Sequence, residues 1–163
     1  MRIIVISDTH GRYRALSSVV LANMNADAFI HLGDGEEEYL RIIDDFPSLQ
    51  PRFHYIKGNC DYGSSQPECL TLDIAPGHRI FATHGHRYGV NYGLETLVST
   101  ARDKGCNIVL YGHTHEQLCT YDNGIYIMNP GSAAIPRDGR GPSYGFIDTL
   151  PDGKAFLSNA PVR

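Results

Sequence analysis

The 163-residue chain has no tryptophan and four cysteines, Cys60, Cys69, Cys106 and Cys119. The cysteines are scattered with no C-x-x-C pair, so four reduced thiols are the expectation. Long apolar runs are missing too: none approaches the roughly 20 residues that a membrane-spanning helix needs. The opening "MRIIVISDTHGR" has too short an apolar part for a secretory signal and no small-residue cleavage pattern, so a cytoplasmic location is expected. An excess of positive charge is also absent. Lys and Arg number 14 against 18 Asp and Glu, a formal charge of −4, and the pI is near 6.0. This argues against a dedicated duplex nucleic-acid-binding face. It leaves room for a small anionic substrate, because bound metal reverses the local sign. The chain has no G-x-S-x-G elbow, no Walker A loop and no G-x-G-x-x-G, so serine hydrolases, P-loop enzymes and dinucleotide binders lack support.

What is present is 42% hydrophobic residues, enough for one full core, and a single domain over residues 1–163 is predicted. "RIIVIS" (2–7) is a continuous apolar run, the mark of a strand covered on both faces. A helix is predicted from Gly11 to about Asn25–Asp27, with Leu16, Val19, Val20 and Met24 as its buried stripe. "AFIHLGD" is a second buried strand. "EEEYLRIIDDF" is a second amphipathic helix, with Tyr39, Leu40, Ile43 and Phe46 facing inward and Glu36, Glu37 and Glu38 complementing its dipole. "FHYIKGNCD" completes two β-α-β units.

The pattern then changes. "ECLTLDI" and "HRIFATHGH" flank Pro76-Gly77 and predict an antiparallel hairpin. A helix comes next, from about Gly93 to Lys104, with Gly105 at C′. "NIVLYGHTH" is another buried strand. Asp122-Asn123-Gly124 and Pro151-Asp152-Gly153 mark two more hairpins. The expected fold is an α/β, two-sheet sandwich of mixed parallel and antiparallel strands flanked by helices, with a metal site at the C-terminal edge of the strands.

That site is suggested by the residues at the strand ends: Asp8-Thr9-His10, Gly33-Asp34, Gly58-Asn59-Cys60-Asp61, Thr83-His84-Gly85-His86 and Gly112-His113-Thr114-His115. Ligands in open α/β sheets bind beyond the carboxyl ends of the strands, so five segments are expected to converge there. His113 and His115, two apart at a strand end, are expected to project to the same side. Imidazoles and carboxylates without thiolate suit borderline divalent metals. They are too many for one ion, whereas two ions sharing a carboxylate would use them all.

The ordered set D-x-H, G-D, G-N-x-D, H-G-H and G-H-T-H resembles the calcineurin-like metallophosphoesterase family, especially its small bacterial and archaeal phosphodiesterase branch. The resemblance runs from Asp8 to about Arg137 and includes "NPGS" (129–132). It implies that Asp8, His10 and His115 hold one metal, Asn59, His84 and His113 the other, and that Asp34 bridges. It also implies two divalent transition-metal ions as cofactors, manganese first, with iron, nickel, zinc or cobalt accepted by the same donors. Two dications against two carboxylates leave the site about +2, or about +1 with a bridging hydroxide, still attractive to a phosphate ester. The implied function is phosphoester hydrolysis, first of phosphodiesters, by attack of a metal-bridging hydroxide. The alternatives are a phosphomonoesterase, or a non-catalytic protein-interaction scaffold like the retromer subunit of this fold. The implied partner is a small phosphodiester, and the resemblance suggests a homodimer or higher assembly.

One position departs from the family pattern. Larger relatives carry histidine after the asparagine, where it is linked to leaving-group protonation. Here Cys60 stands there, expected to be a small packed residue rather than a nucleophile. His86 becomes the candidate general acid. Asp61 is the second candidate for the catalytic apparatus, as a partner to a ligand or acid, against the simpler role of turn cap. Arg137 is weighed equally as a phosphate contact and a solvated arginine. His31, His54 and His78 are expected to be non-catalytic.

Overall fold

The computed structural model describes residues 1–163. Strands β1 (Arg2–Ile6), β2 (Ala28–His31) and β3 (Phe53–Tyr55) lie parallel, connected by helices α1 (Tyr13–Ala22) and α2 (Glu36–Asp45). Hairpin β4 (Cys69–Ala75) and β5 (His78–Thr83) starts a second sheet, and α3 (Glu95–Asp103) leads into β6 (Ile108–Leu110). Hairpins β7 (Gln117–Asp122)–β8 (Ile125–Pro130) and β9 (Ser143–Thr149)–β10 (Ala155–Pro161) complete the chain. The sheet orders are β10-β9-β1-β2-β3 and β4-β5-β6-β8-β7. Each has a run of parallel strands (β1–β2–β3, and β5–β6–β8) with antiparallel strands beside it, those of the hairpins being joined by short turns.

The period-two alternation of a strand explains why β1 is apolar throughout. Ile3 and Val5 face the second sheet, packing with Ile30, Ile80, Ile108 and Leu110. Ile4 and Ile6 face the opposite way, onto Leu16, Val19 and Val20 of α1 and Ile42 of α2. On the far side, Phe81 and Val109 pack on Leu97 and Ala101 of α3. Each fully buried side chain of this size contributes about 1.5–3 kcal/mol, so three such layers hold the strand ends in fixed register.

Several expectations about elements change. Helix α1 is shorter than predicted at both ends. It stops at Ala22, where Asn23 Nδ2 donates to Val19 O at 2.8 Å, and Met24 packs on the core from beyond the helix. In α2, Leu40 is 49% exposed and Ile42 is fully buried. At 100° per residue Leu40 lies opposite both buried members of α2, Glu38 and Ile42, so the predicted stripe was turned on that side. Strand β3 ends at Tyr55, leaving 56–61 as loop. Gly105 does end α3, in a Schellman arrangement: its N–H reaches Arg102 O and the Cys106 N–H reaches Ala101 O, both at 2.9 Å. No helix is long and apolar enough to cross a membrane.

Candidate metal centre

Strands β1, β2 and β3 of one sheet and β5 and β6 of the other end on the same edge, and the loops after them carry the seven candidate ligands. Main-chain bonds knit these loops together: Asp8 N–H to Gly33 O (3.0 Å), His10 N–H to Asp34 O (2.9 Å) and Gly112 N–H to His84 O (3.0 Å). Six non-glycine residues have left-handed backbone, and five are candidate ligands: Asp8 (φ 57°), His10 (42°), Asp34 (58°), His113 (70°) and His115 (61°). The sixth, Asn123, sits in a hairpin turn where this is ordinary. Such conformations cost on the order of 1–3 kcal/mol each and persist only where surrounding structure enforces them, as at functional sites.

The side chains form two adjoining groups. In the first, His115 Nε2 lies 3.1 Å from Asp8 Oδ1 and 3.1 Å from His10 Nε2. In the second, His84 Nε2 lies 3.1 Å from Asn59 Oδ1, and the His84 and His113 rings are 5.2 Å apart. Asp34 Oδ2 faces both, 3.8 Å from His10 Nε2 and 3.5 Å from His84 Nε2. His113 and His115 do not sit on the extended backbone expected of a strand end. Left-handed backbone at both breaks the strand alternation and sends one ring to each group.

Buried residues behind the donors aim them. His84 Nδ1 donates to Leu32 O (2.7 Å) and His115 Nδ1 to Ile135 O (2.8 Å), so in the neutral rings both Nε2 lone pairs point inward. Asp8 Oδ2 accepts Ser7 Oγ–H (2.5 Å) and the His113 N–H (3.1 Å), while the buried Oδ1 has no hydrogen-bond partner. Asp34 Oδ1 accepts the Cys60 N–H at 2.8 Å. A Cβ on Gly58 would collide with that oxygen, which is why the asparagine loop needs glycine there. These inward-facing acceptors, one of them orphaned, fit a cation.

The charges say the same. Burial would raise Asp8, but His10, His115 and His84 outweigh it and hold it far below the usual carboxylate range. Asp34 is depressed to about 2, its burial outweighed chiefly by His84. Asp8 raises His10, and Asp34 and Asp8 raise His84 against its burial. Carboxylates held ionised beside His10 and His84 describe a site that calls for positive charge, although burial and His84 lower His113.

His86 opens a short 3₁₀ turn, His86–Tyr88, with its ring 5.4 Å from His84 and 6.1 Å from His113. Its buried Nδ1 has no partner, and burial, with His84 and His113, lowers its pKa. Asp61, expected either as a partner to a ligand or acid or as a turn cap, holds main-chain groups of the two ligand loops. Its carboxylate accepts five donors: the N–H groups of Asp34, Gly35, Glu36 and Gly58 and the Tyr55 hydroxyl. Burial would raise it, but the Gly58 N–H, the Tyr55 hydroxyl and the other main-chain donors keep it ionised. It caps α2 and ties that helix to the Asn59 loop. Cys60 is exposed rather than packed, and the partial desolvation of its thiol, with Asp34 nearby, pushes it up to about 11. The Arg137 side chain is exposed, while its N–H holds His115 O at 3.0 Å.

Other residues also meet the site, of which Asn91 had no distinguishing sequence signal. Asn91 Nδ2 lies 3.1 Å from His113 Nε2. Ser132 Oγ donates to Asp8 O at 2.7 Å, and Asn129 Nδ2 donates to Gly112 O at 3.0 Å, which gives the "NPGS" stretch a structural purpose. His31 lies behind the site and stays neutral. Burial lowers it to about 4, and it accepts the Gly33 N–H at Nδ1 while contacting Thr9 Oγ1 through Nε2 at 3.2 Å. His54 and His78 lie outside the donor groups, His78 on Gly153 O.

The chain is similar to known proteins in sequence and fold. The calcineurin-like phosphoesterase superfamily domain matches residues 1–152. The probable metallophosphoesterase YsnB of Bacillus subtilis is 32% identical over 148 residues, 90% of this chain and 83% of that protein. Phosphodiesterase YfcE of Escherichia coli is 28% identical over 91% of this chain and 88% of its own length. Among solved structures, a predicted phosphoesterase from Streptococcus pneumoniae has a TM-score of 0.75 at 26% identity, covering 98% of this chain and 96% of that one. A Vps29 of Entamoeba histolytica shares the fold, with TM-score 0.74 at 24% identity and 98% of each chain covered. Matched from its first strand to the turn before its last, this metal-binding hydrolase fold places the chain in the calcineurin-like phosphoesterase superfamily, to which it belongs.

Proposed function

We propose that the chain is a dinuclear metal-dependent phosphodiesterase, built as one domain over residues 1–163. The observation that carries this reading is Asp34, whose Oδ2 faces His10 and His84 at 3.8 and 3.5 Å, one from each donor group. Asp8, His10 and His115 would hold one divalent ion, Asn59, His84 and His113 the other, with Asp34 between them. Manganese heads the candidates, and iron, nickel, zinc and cobalt suit the same donors. When bound, two such ions supply water of lowered pKa and Lewis-acid stabilisation of the phosphoryl oxygens.

The chain's own groups do the rest. Asp8 and Asp34 are the only anions among the seven ligands, so the loaded centre keeps net positive charge for a phosphate ester. Leu32 and Ile135 carbonyls hold the His84 and His115 rings in one tautomer and orientation. His86, beside the second group, donates a proton to the departing ester oxygen. Asp61 is a positioning residue that fixes the Asp34 and Asn59 loops. The names of the E. coli relative and of a Methanocaldococcus jannaschii relative, both phosphodiesterases, favour the diester over the monoester.

The test is hydrolysis of bis(4-nitrophenyl) phosphate and 4-nitrophenyl phosphate by manganese-reconstituted protein. The diester should show the higher kcat/KM. Preference for the monoester makes the chain a phosphomonoesterase, and inertness toward both with metal bound makes it a scaffold.

A further inference from the structure

Two cavities open beside the donor groups. One, about 370 Å³, is walled by Glu36, Glu37 and Glu38 next to His10 and Asp34. The other, about 390 Å³, lies next to Asn59 and is walled by Lys57, Ser64, His86 and Arg87. Tyr62 lines both, and its side chain is 90% exposed. Yet its main chain is held in place. It comes directly after Asp61, with its five donors, in a tight turn closed by the Ser64 N–H on Asp61 O at 3.3 Å, and Gly63 at φ 74° gives this turn type II geometry. The Tyr62 N–H also reaches Cys60 O at 3.0 Å. The main chain thus fixes where an aromatic ring is left in water, and that ring lines both cavities of the site, where a flat ligand can stack on it.

We infer that Tyr62 is a specificity-determining residue, a stacking platform for a planar ester arm of the substrate. The inference rests on the phosphodiesterase reading and names the class of diester: one with an aromatic or heterocyclic arm. The walls set the direction of that arm. The three glutamates repel an anionic ester, while in the other wall Lys57 and Arg87, at 3.5 and 2.8 Å from Glu68, offset Glu68 and Asp61 and leave it formally neutral. The arm therefore leaves through the second cavity, along the face of Tyr62 and past Arg87. The equally exposed Tyr92, at 96%, lines neither cavity and has no such role.

The test is calorimetric binding of phenylphosphonate and methylphosphonate to full-length manganese-loaded protein, since neither is hydrolysed. Phenylphosphonate should bind about tenfold more tightly, the scale of a single stacking contact. Tyr62→Ala should bring the ratio close to one, whereas Tyr62→Phe and Tyr92→Ala should keep it. A wild-type ratio near one, or a ratio unmoved by Tyr62→Ala, overturns the inference. Failure of the phosphodiesterase reading shows separately, as loss of bis(4-nitrophenyl) phosphate hydrolysis in protein that still discriminates the phosphonates.

Discussion

The Asp61 carboxylate accepts the main-chain N–H of Asp34 at 2.9 Å, and it binds Gly58 N–H at 2.7 Å with the same oxygen. One side chain thus sets the distance between the loops that carry Asp34 and Asn59. Asp61→Ala leaves several buried donors unpaired and uncaps α2. It should lower stability by about 3 kcal/mol and metal affinity by about 10–100-fold. Urea unfolding and metal titration measure both, and an unchanged midpoint would reduce Asp61 to an ordinary turn residue.

Metal dependence is the broadest prediction. Treatment with a chelator should abolish phosphoesterase activity, and manganese or another transition divalent ion should restore it. Protein stripped of metal, verified by elemental analysis, and still fully active would refute the centre.

For Asp34, the position between the groups predicts a joint effect. Asp34→Asn removes the shared anion, so both ions should weaken together. Two tightly held ions in that variant, measured by elemental analysis, would show that Asp34 does not bridge.

For His86, the expected signature is dependence on the leaving group. His86→Ala should cost little with nitrophenolate, which leaves without a proton. It should cost about 100-fold or more with an alkyl or nucleoside leaving group. The check is kcat/KM across diesters of graded leaving-group pKa with metal content held at wild-type level. An equal loss for all of them assigns His86 to holding the phosphate instead.

The buried His31 predicts a pH effect on stability. Burial depresses it from 6.5 to about 4, so between those values the unfolded chain binds the extra proton. Stability from His31 is complete above pH 6.5 and falls on acidification toward pH 4, by about 3 kcal/mol in all. His31→Gln should flatten the pH dependence of the unfolding midpoint between pH 7 and 4.5, and equal slopes in both proteins would contradict this.

The strands and the chemical types at their ends were legible in the sequence because both are local. A run such as Arg2–Ile6 shows that both strand faces are covered, and Asn123-Gly124 encodes its own hairpin turn. The D-x-H, G-D, G-N-x-D, H-G-H and G-H-T-H stretches name their donors without reference to any partner. Where those donors point was not legible. Left-handed backbone at Asp8, Asp34, His113 and His115 is enforced by loops from distant parts of the chain, so His113 and His115, two residues apart, serve different groups. For the same reason Leu40, apolar and at plausible spacing, is exposed: the face that α2 buries is chosen by the sheet beneath it. Asp61 shows the contrast within one residue. Its charge is written in the sequence, but its five donors come from 55, 58 and 34–36, and only folding brings them to one carboxylate.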